Sequence, residues 1–223
     1  MTVRSQFLPL NGRAGASRLS SFVPLLLAAF LLCSAAIPLS SQAQDTEDSA
    51  PTRSAGRPHH VLGGSFGHTI LFGDWGSFYD DNFSYSGFYA YEATPIFGFL
   101  MNVSYGYYSG GGNDRLVMWA IEPDLKVNLF YFDNVVFAAF GGFGLYPVSQ
   151  KIGVSEGSVL GFGMNLGFSV DLHMGEHFTF GPGIQFRSVF NKKDSSVQNS
   201  NLPSGMIIGG ETVRLFLQAG YVF

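Results

Sequence analysis

The feature that most constrains this chain is a period of two in its apolar residues, carried through to the last position. In Phe97 to Tyr107, the odd positions Phe97, Phe99, Met101, Val103, Tyr105 and Tyr107 alternate with Gly98, Leu100, Asn102, Ser104 and Gly106. From Leu160 to Leu172, bulky residues fall on even positions, with Gly161, Gly163, Asn165, Gly167, Ser169 and Asp171 between them. Phe178 to Phe190 and Val213 to Phe223 follow the same rule. Successive side chains of a strand point to opposite faces, so each segment reads as a strand with one apolar face. Four further stretches, about 61–72, 83–94, 115–130 and 135–147, are compatible with the pattern. Eight strands with no helical stretch between them predict an antiparallel, all-β fold.

The connections alternate in length. Short ones are expected at Pro95, at Phe132-Asp133-Asn134 and from His173 to His177. Longer ones are expected over Gly73–Asn82, Ser109–Asp114, Val148–Ser158 and Asn191–Gly210. Short turns at one end and longer loops at the other are the habit of transmembrane barrels. With eight strands, all three short turns share the end that carries both termini.

Composition decides which face is outside. Only 13% of the 223 residues are charged, against roughly 25% in a typical soluble domain, and 29 are Gly. A soluble barrel must clothe its exterior in Lys and Glu, and too few are present. The bulky face therefore meets lipid, and the Gly, Ser, Asn and Thr face lines a narrow lumen. A hydrophobic content of 46% excludes a disordered chain, and a single Cys excludes a disulfide scaffold. Past residue 40 no apolar run approaches the roughly 20 residues a membrane helix needs. A net charge of −4 gives no basic footprint for nucleic acid.

Residues 1–43 read as a secretory signal peptide. Arg4, Arg13 and Arg18 precede the apolar run Phe22 to Leu32, and Ser41-Gln42-Ala43 places cleavage between Ala43 and Gln44. Cys33 follows Leu32 rather than a small residue, so it makes no lipidation motif and is expected to leave with the leader. Residues 44–60 lack apolar periodicity and are expected to form a flexible periplasmic linker, in which His59 and His60 are a solvated pair. The barrel is expected over 61–223.

Aromatic residues gather near strand ends and suggest two interfacial girdles. One holds Trp75, Phe78, Tyr79, Tyr105, Tyr107 and Tyr108. The other holds Phe130, Tyr131, Phe132, Phe178, Tyr221 and Phe223.

The chain ends Leu215-x-Leu217-x-Ala219-x-Tyr221-x-Phe223. This resembles the terminal strand of bacterial outer-membrane proteins, whose final Phe and alternating apolar residues are read by the barrel assembly machinery. With the leader and eight strands, residues 61–223 resemble the small barrel superfamily that includes OmpA, OmpX and OmpW. The resemblance implies an eight-stranded antiparallel up-and-down transmembrane β-barrel in the outer membrane of a Gram-negative bacterium. It implies extracellular loops at the cell surface, both termini in the periplasm, and outer-membrane lipid and lipopolysaccharide as surroundings. Leu217, Ala219, Tyr221 and Phe223 would carry the assembly signal, and a monomer is expected.

Seven charged residues fall on the inward parity: Glu92, Glu122, Asp124, Lys126, Asp171, Arg187 and Arg214. Charges in a low-dielectric lumen must pair or hydrogen-bond, and a polar network across the lumen is expected. Signals for chemistry are poor. His173 and His177 fall in an expected turn, and His68, the only histidine expected within a strand, has no evident nucleophile beside it. Gly161-x-Gly163-x-x-x-Gly167 lacks the helix a nucleotide loop requires and fits the small lumen face instead. No catalytic residue, metal motif or cofactor site is expected. Two functions remain in view: a non-enzymatic barrel supporting membrane integrity or surface interaction through its loops, and a narrow channel for small or hydrophobic solutes. A lipid A-modifying enzyme is a remote third.

Overall fold

The computed structural model describes residues 58–190 and 209–223. The expected leader, the Ala43–Gln44 cleavage site and linker residues 44–57 lie outside them, as does most of the connection after residue 190. Eight strands form one closed barrel in sequence order. They are β1 (His59–Phe72), β2 (Asn82–Glu92), β3 (Phe97–Ser109), β4 (Arg115–Phe132), β5 (Val135–Ile152), β6 (Ser155–Met174), β7 (Phe178–Phe190) and β8 (Gly210–Val222). Every neighbouring pair is antiparallel, and β1 pairs with β8 to close the wall. Closure leaves no unpaired sheet edge along the wall, which any strand structure in hydrocarbon requires.

The alternation read from the sequence is the inside–outside alternation of this wall. Leu62, Phe66, Tyr85, Phe99, Leu125, Phe143, Phe162, Leu166, Phe186 and Leu217 are exposed, while the residues between them turn inward and are mostly buried. A wall of exposed Phe, Leu and Tyr is costly against water and suits hydrocarbon. No described helix is long and apolar enough to cross a membrane.

Four local features depart from the sequence reading. The stretch over 148–158 is not a loop. β5 and β6 continue through it as a hairpin, with Ile152 opposite Ser155 and only Gly153-Val154 between them. Gly153 takes φ +60°, the left-handed conformation a tight hairpin requires at its first position. The strands went unseen here because the outward residues turn polar: Ser149, Lys151, Glu156 and Ser158 replace Phe143, Leu145, Phe162 and Leu160 as the hairpin climbs.

Second, the β1–β2 connection contains a short helix, α1 (Gly73–Phe78), although no helix was expected between strands. Third, β1 starts at His59, so His59 and His60 belong to the barrel rather than to a linker. The His59 ring meets Glu92 at 3.2 Å, and His60 Nδ1 bonds Tyr89 Oη at 2.7 Å. His173 likewise lies in β6, and His68 is not the only strand histidine; its ring faces outward, edge-on to Phe83.

Fourth, Trp75, Tyr79 and Tyr108 are not girdle residues. All three are buried and pack with Leu71, Leu116, Met118, Tyr146 and Val148 inside the barrel at the loop end. Helix α1 folds inward because Trp75 has an apolar lumen to fill. Phe78, Tyr107, Phe130, Tyr131, Phe132, Phe178, Tyr221 and Phe223 remain exposed.

The lumen is thus not lined by small residues alone. Phe88, Leu100, Phe140 and Phe216 also point inward, and the glycines make room for them. A methyl at Gly167 would collide with the Phe140 ring, and one at Gly183 with the Phe216 ring. Each of these glycines is the floor beneath an aromatic ring.

Candidate functional site: the polar lumen

Reading down the barrel from the loop end, the apolar layer around Trp75, Tyr108 and Tyr146 comes first. Beneath it sits Glu122, contributed by β4 and fully buried. Arg187 of β7 binds it in bidentate fashion, with Nε 2.7 Å from Oε1 and Nη2 2.8 Å from Oε2. Glu122 also accepts from Tyr146 Oη at 3.0 Å, Asn102 Nδ2 at 2.8 Å and Gln185 Nε2 at 3.1 Å. Arg187 Nη2 donates in addition to Ser104 Oγ at 3.0 Å. The carboxylate therefore accepts five hydrogen bonds, which meets the demand of a charge removed from water.

Asp124 lies two residues along β4 from Glu122, on the same face. Asn165 donates to its Oδ1 at 2.8 Å, and Gln185 reaches Asn165 Oδ1 at 3.4 Å, tying Asp124 to the Glu122 set.

A second charged cluster lies toward the end carrying the termini. Lys126 Nζ sits 2.9 Å from both Glu92 Oε1 and Asp171 Oδ2. Asn128 donates to Glu92 at 3.3 Å, and Gln218 Nε2 donates to Asp171 Oδ1 at 2.5 Å. Val61, Ala90 and Val222 close the apolar floor beside it, with Phe88 and Leu100 packed against them.

Arg214 stands apart from both clusters. It donates to Ser65 Oγ at 2.7 Å and Ser86 Oγ at 3.3 Å, and its guanidinium lies 5.1 Å from the centre of the Phe216 ring.

All seven charged residues marked in the sequence point into the lumen, yet they do not form one network. They divide into the Arg187–Glu122 set with Asp124, the Lys126 triad, and Arg214 alone. The polar residues that complete each set, among them Ser65, Ser86, Asn102, Asn165, Gln185 and Gln218, were not singled out. Their signal is inward parity shared with the charged positions, which places them within reach of those charges. Of the assembly-signal residues, Leu217, Ala219, Tyr221 and Phe223 all face outward, and Phe223 exchanges two backbone hydrogen bonds with His60 at the closing seam.

Two adjoining cavities lie below the Glu122 layer. Both are small; one is bordered by Arg214 and the other by the Lys126 triad. Phe88, Leu100, Phe140 and Gln218 border both. Among the described residues no group of three or more His, Cys, Asp or Glu is placed to hold a metal ion. His177 stacks on Tyr221 at the end carrying the termini.

No family model matches the chain, and no curated protein matches it in sequence. Solved structures do match the fold. Neisserial surface protein A is similar over 73% of this chain and 96% of its own, at 12% identity and a TM-score of 0.57. The N-terminal β-barrel domain of Pseudomonas aeruginosa OprF (74% and 97%, 16% identity, TM-score 0.46) and Ail of Yersinia pestis (75% and 99%, 13% identity, TM-score 0.45) are weaker likenesses. At such identities the likeness is one of fold: this chain has the architecture of the small eight-stranded outer-membrane barrels.

Proposed function

We propose that the chain is a monomeric, non-enzymatic barrel of a Gram-negative outer membrane, closed to solutes, that supports membrane integrity and meets its surroundings through its loop end. In this reading the loops lie at the cell surface among lipopolysaccharide, and the termini lie in the periplasm. The outward residues of β8 down to Phe223 would be what the assembly machinery engages.

One observation carries the closed-lumen reading. Two successive layers occupy the lumen: the buried apolar group around Trp75, Tyr108 and Tyr146, and the bidentate Arg187–Glu122 pair beneath it. Small barrels fill their interiors with side chains, and a filled interior braces the wall rather than conducting through it. Recording conductance of the purified protein in a planar lipid bilayer tests this. A silent bilayer is expected; steady unitary openings would replace the reading with that of a narrow solute channel. Incubation with lipid A tests the enzymatic alternative, and unchanged lipid A is expected.

A further inference from the structure

Two of the three cations turned into the lumen are matched by carboxylates: Lys126 by Glu92 and Asp171, and Arg187 by Glu122. Arg214 is 1% exposed and makes no ion pair among the described residues. Among the described residues its hydrogen bonds go to neutral oxygens: Ser65 Oγ, Ser86 Oγ and, at 3.4 Å, the Ser65 carbonyl. Its Nε is buried with no hydrogen-bond partner among the described residues. A guanidinium keeps its charge at any physiological pH, so burial cannot be relieved by losing the proton. A buried charge without a counter-charge is among the most costly arrangements in a protein.

A small cavity borders this side chain. Its polar wall can donate further. Ser65 Oγ and Ser86 Oγ share one hydrogen bond at 2.7 Å, so one of their two hydroxyl protons remains. Asn102 gives one amide proton to Glu122 and Gln218 gives one to Asp171, and each amide carries a second. All four residues line the cavity with Arg214, while Gln185 and the apolar Phe88, Leu100, Phe140 and Phe216 form the rest of its wall. Donors and one fixed positive charge against aromatic and aliphatic walls suit a weakly hydrated anion. A single negative charge suits the site best, because Glu122 and Asp124 already face the same lumen.

We propose that the cavity beside Arg214 is a binding site for one small monovalent anion of the halide class, held by the guanidinium and the Ser65–Ser86 hydroxyl pair. The anion would neutralise Arg214 and leave the barrel's other two charged sets undisturbed. Toward the end carrying the termini, the adjoining cavity is bordered by Val61, Glu92, Asp171, His173 and Thr179. An anion arriving from that end would meet the Glu92 and Asp171 carboxylates first, so the ion is best supplied during refolding.

Bromide is the probe. The full barrel is refolded in detergent with bromide or with gluconate at equal ionic strength, then crystallised from bromide and melted over a tenfold range of bromide concentration. The expected result is an anomalous peak within hydrogen-bonding distance of Arg214 and a melting midpoint that climbs with bromide but not with gluconate, as for any ligand bound only by the folded state. Arg214→Gln should remove both signals. Should that variant fail to fold, Ser65→Ala should cut the bromide-dependent shift by at least half. No anomalous density at Arg214 in the wild-type crystal would overturn the proposal. So would a bromide shift that survives unchanged in Arg214→Gln or, where that variant does not fold, in Ser65→Ala.

Discussion

Arg187 and Glu122 meet edge to edge across the lumen, with both guanidinium contacts at 2.8 Å or less. They come from β7 and β4, strands that share no hydrogen-bonded border, so the pair cross-braces opposite parts of the wall. Removing one partner of a buried pair strands the other, at a cost of about 3–5 kcal/mol. Arg187→Leu should therefore lower the urea midpoint of the barrel in lipid bilayers by a corresponding amount. The double variant Arg187→Leu/Glu122→Leu should be less destabilised than the two single effects added together, because neither charge is then left alone. A midpoint unchanged in Arg187→Leu would show that the brace contributes nothing.

The two tryptophans report on opposite sides of the wall. Trp119 faces outward with 48% of its surface exposed, while Trp75 is sealed in the lumen. In bilayers containing lipids brominated on their acyl chains, Trp75→Phe leaves Trp119 as the only tryptophan, and its emission, excited selectively beyond the tyrosine band, should be strongly quenched. Trp119→Phe leaves Trp75, which should be quenched several-fold less. Equal quenching would mean that α1 does not hold Trp75 inside the barrel.

The wall was legible in the sequence and the lumen only in part. The period of two identifies the face of residues such as Leu166 and Phe186 because lipid demands apolar groups continuously along the span. The same rule fails at Ser149 and Glu156, where β5 and β6 have climbed past the apolar band and outward residues are free to be polar. It also says nothing of depth. Glu122, Lys126 and Arg214 share inward parity, but whether they meet depends on height and on reach across the lumen, which only the register fixes. Trp75 misled for a related reason: an aromatic near a strand end can sit in an interface or fold back as a plug, and local sequence does not separate the two.

The glycines differ in what they tolerate. A methyl on Gly181 would collide with the Val170 carbonyl oxygen, a backbone atom of the neighbouring strand that cannot move aside cheaply. Outward-facing Gly87 has only the Gly63 carbonyl oxygen near it, at 3.9 Å. Gly181→Ala should thus destabilise the barrel by about 1–3 kcal/mol, the usual cost of overpacking. Gly87→Ala should be neutral or slightly stabilising, since Ala restricts the unfolded chain without strain here. Urea midpoints of the two variants, measured in the same lipid, give the comparison. Equal effects would mean that the close approach at Gly181 is not a real constraint.

Orientation in the membrane can be read from the two ends of the barrel. Val154, at the tip of the β5–β6 hairpin, is fully exposed at the loop end, and Glu176 is exposed in the β6–β7 turn at the end carrying the termini. Cys33 is the chain's one cysteine, so a Cys33→Ser background offers no competing thiol. In that background, Val154→Cys should react with a membrane-impermeant maleimide on intact cells, because the hairpin is expected at the cell surface. Glu176→Cys should react only after the outer membrane is breached. The reverse pattern would invert the barrel and place the Trp75 plug on the periplasmic side. Labelling of both sites on intact cells would instead show that the chain does not separate two compartments at all.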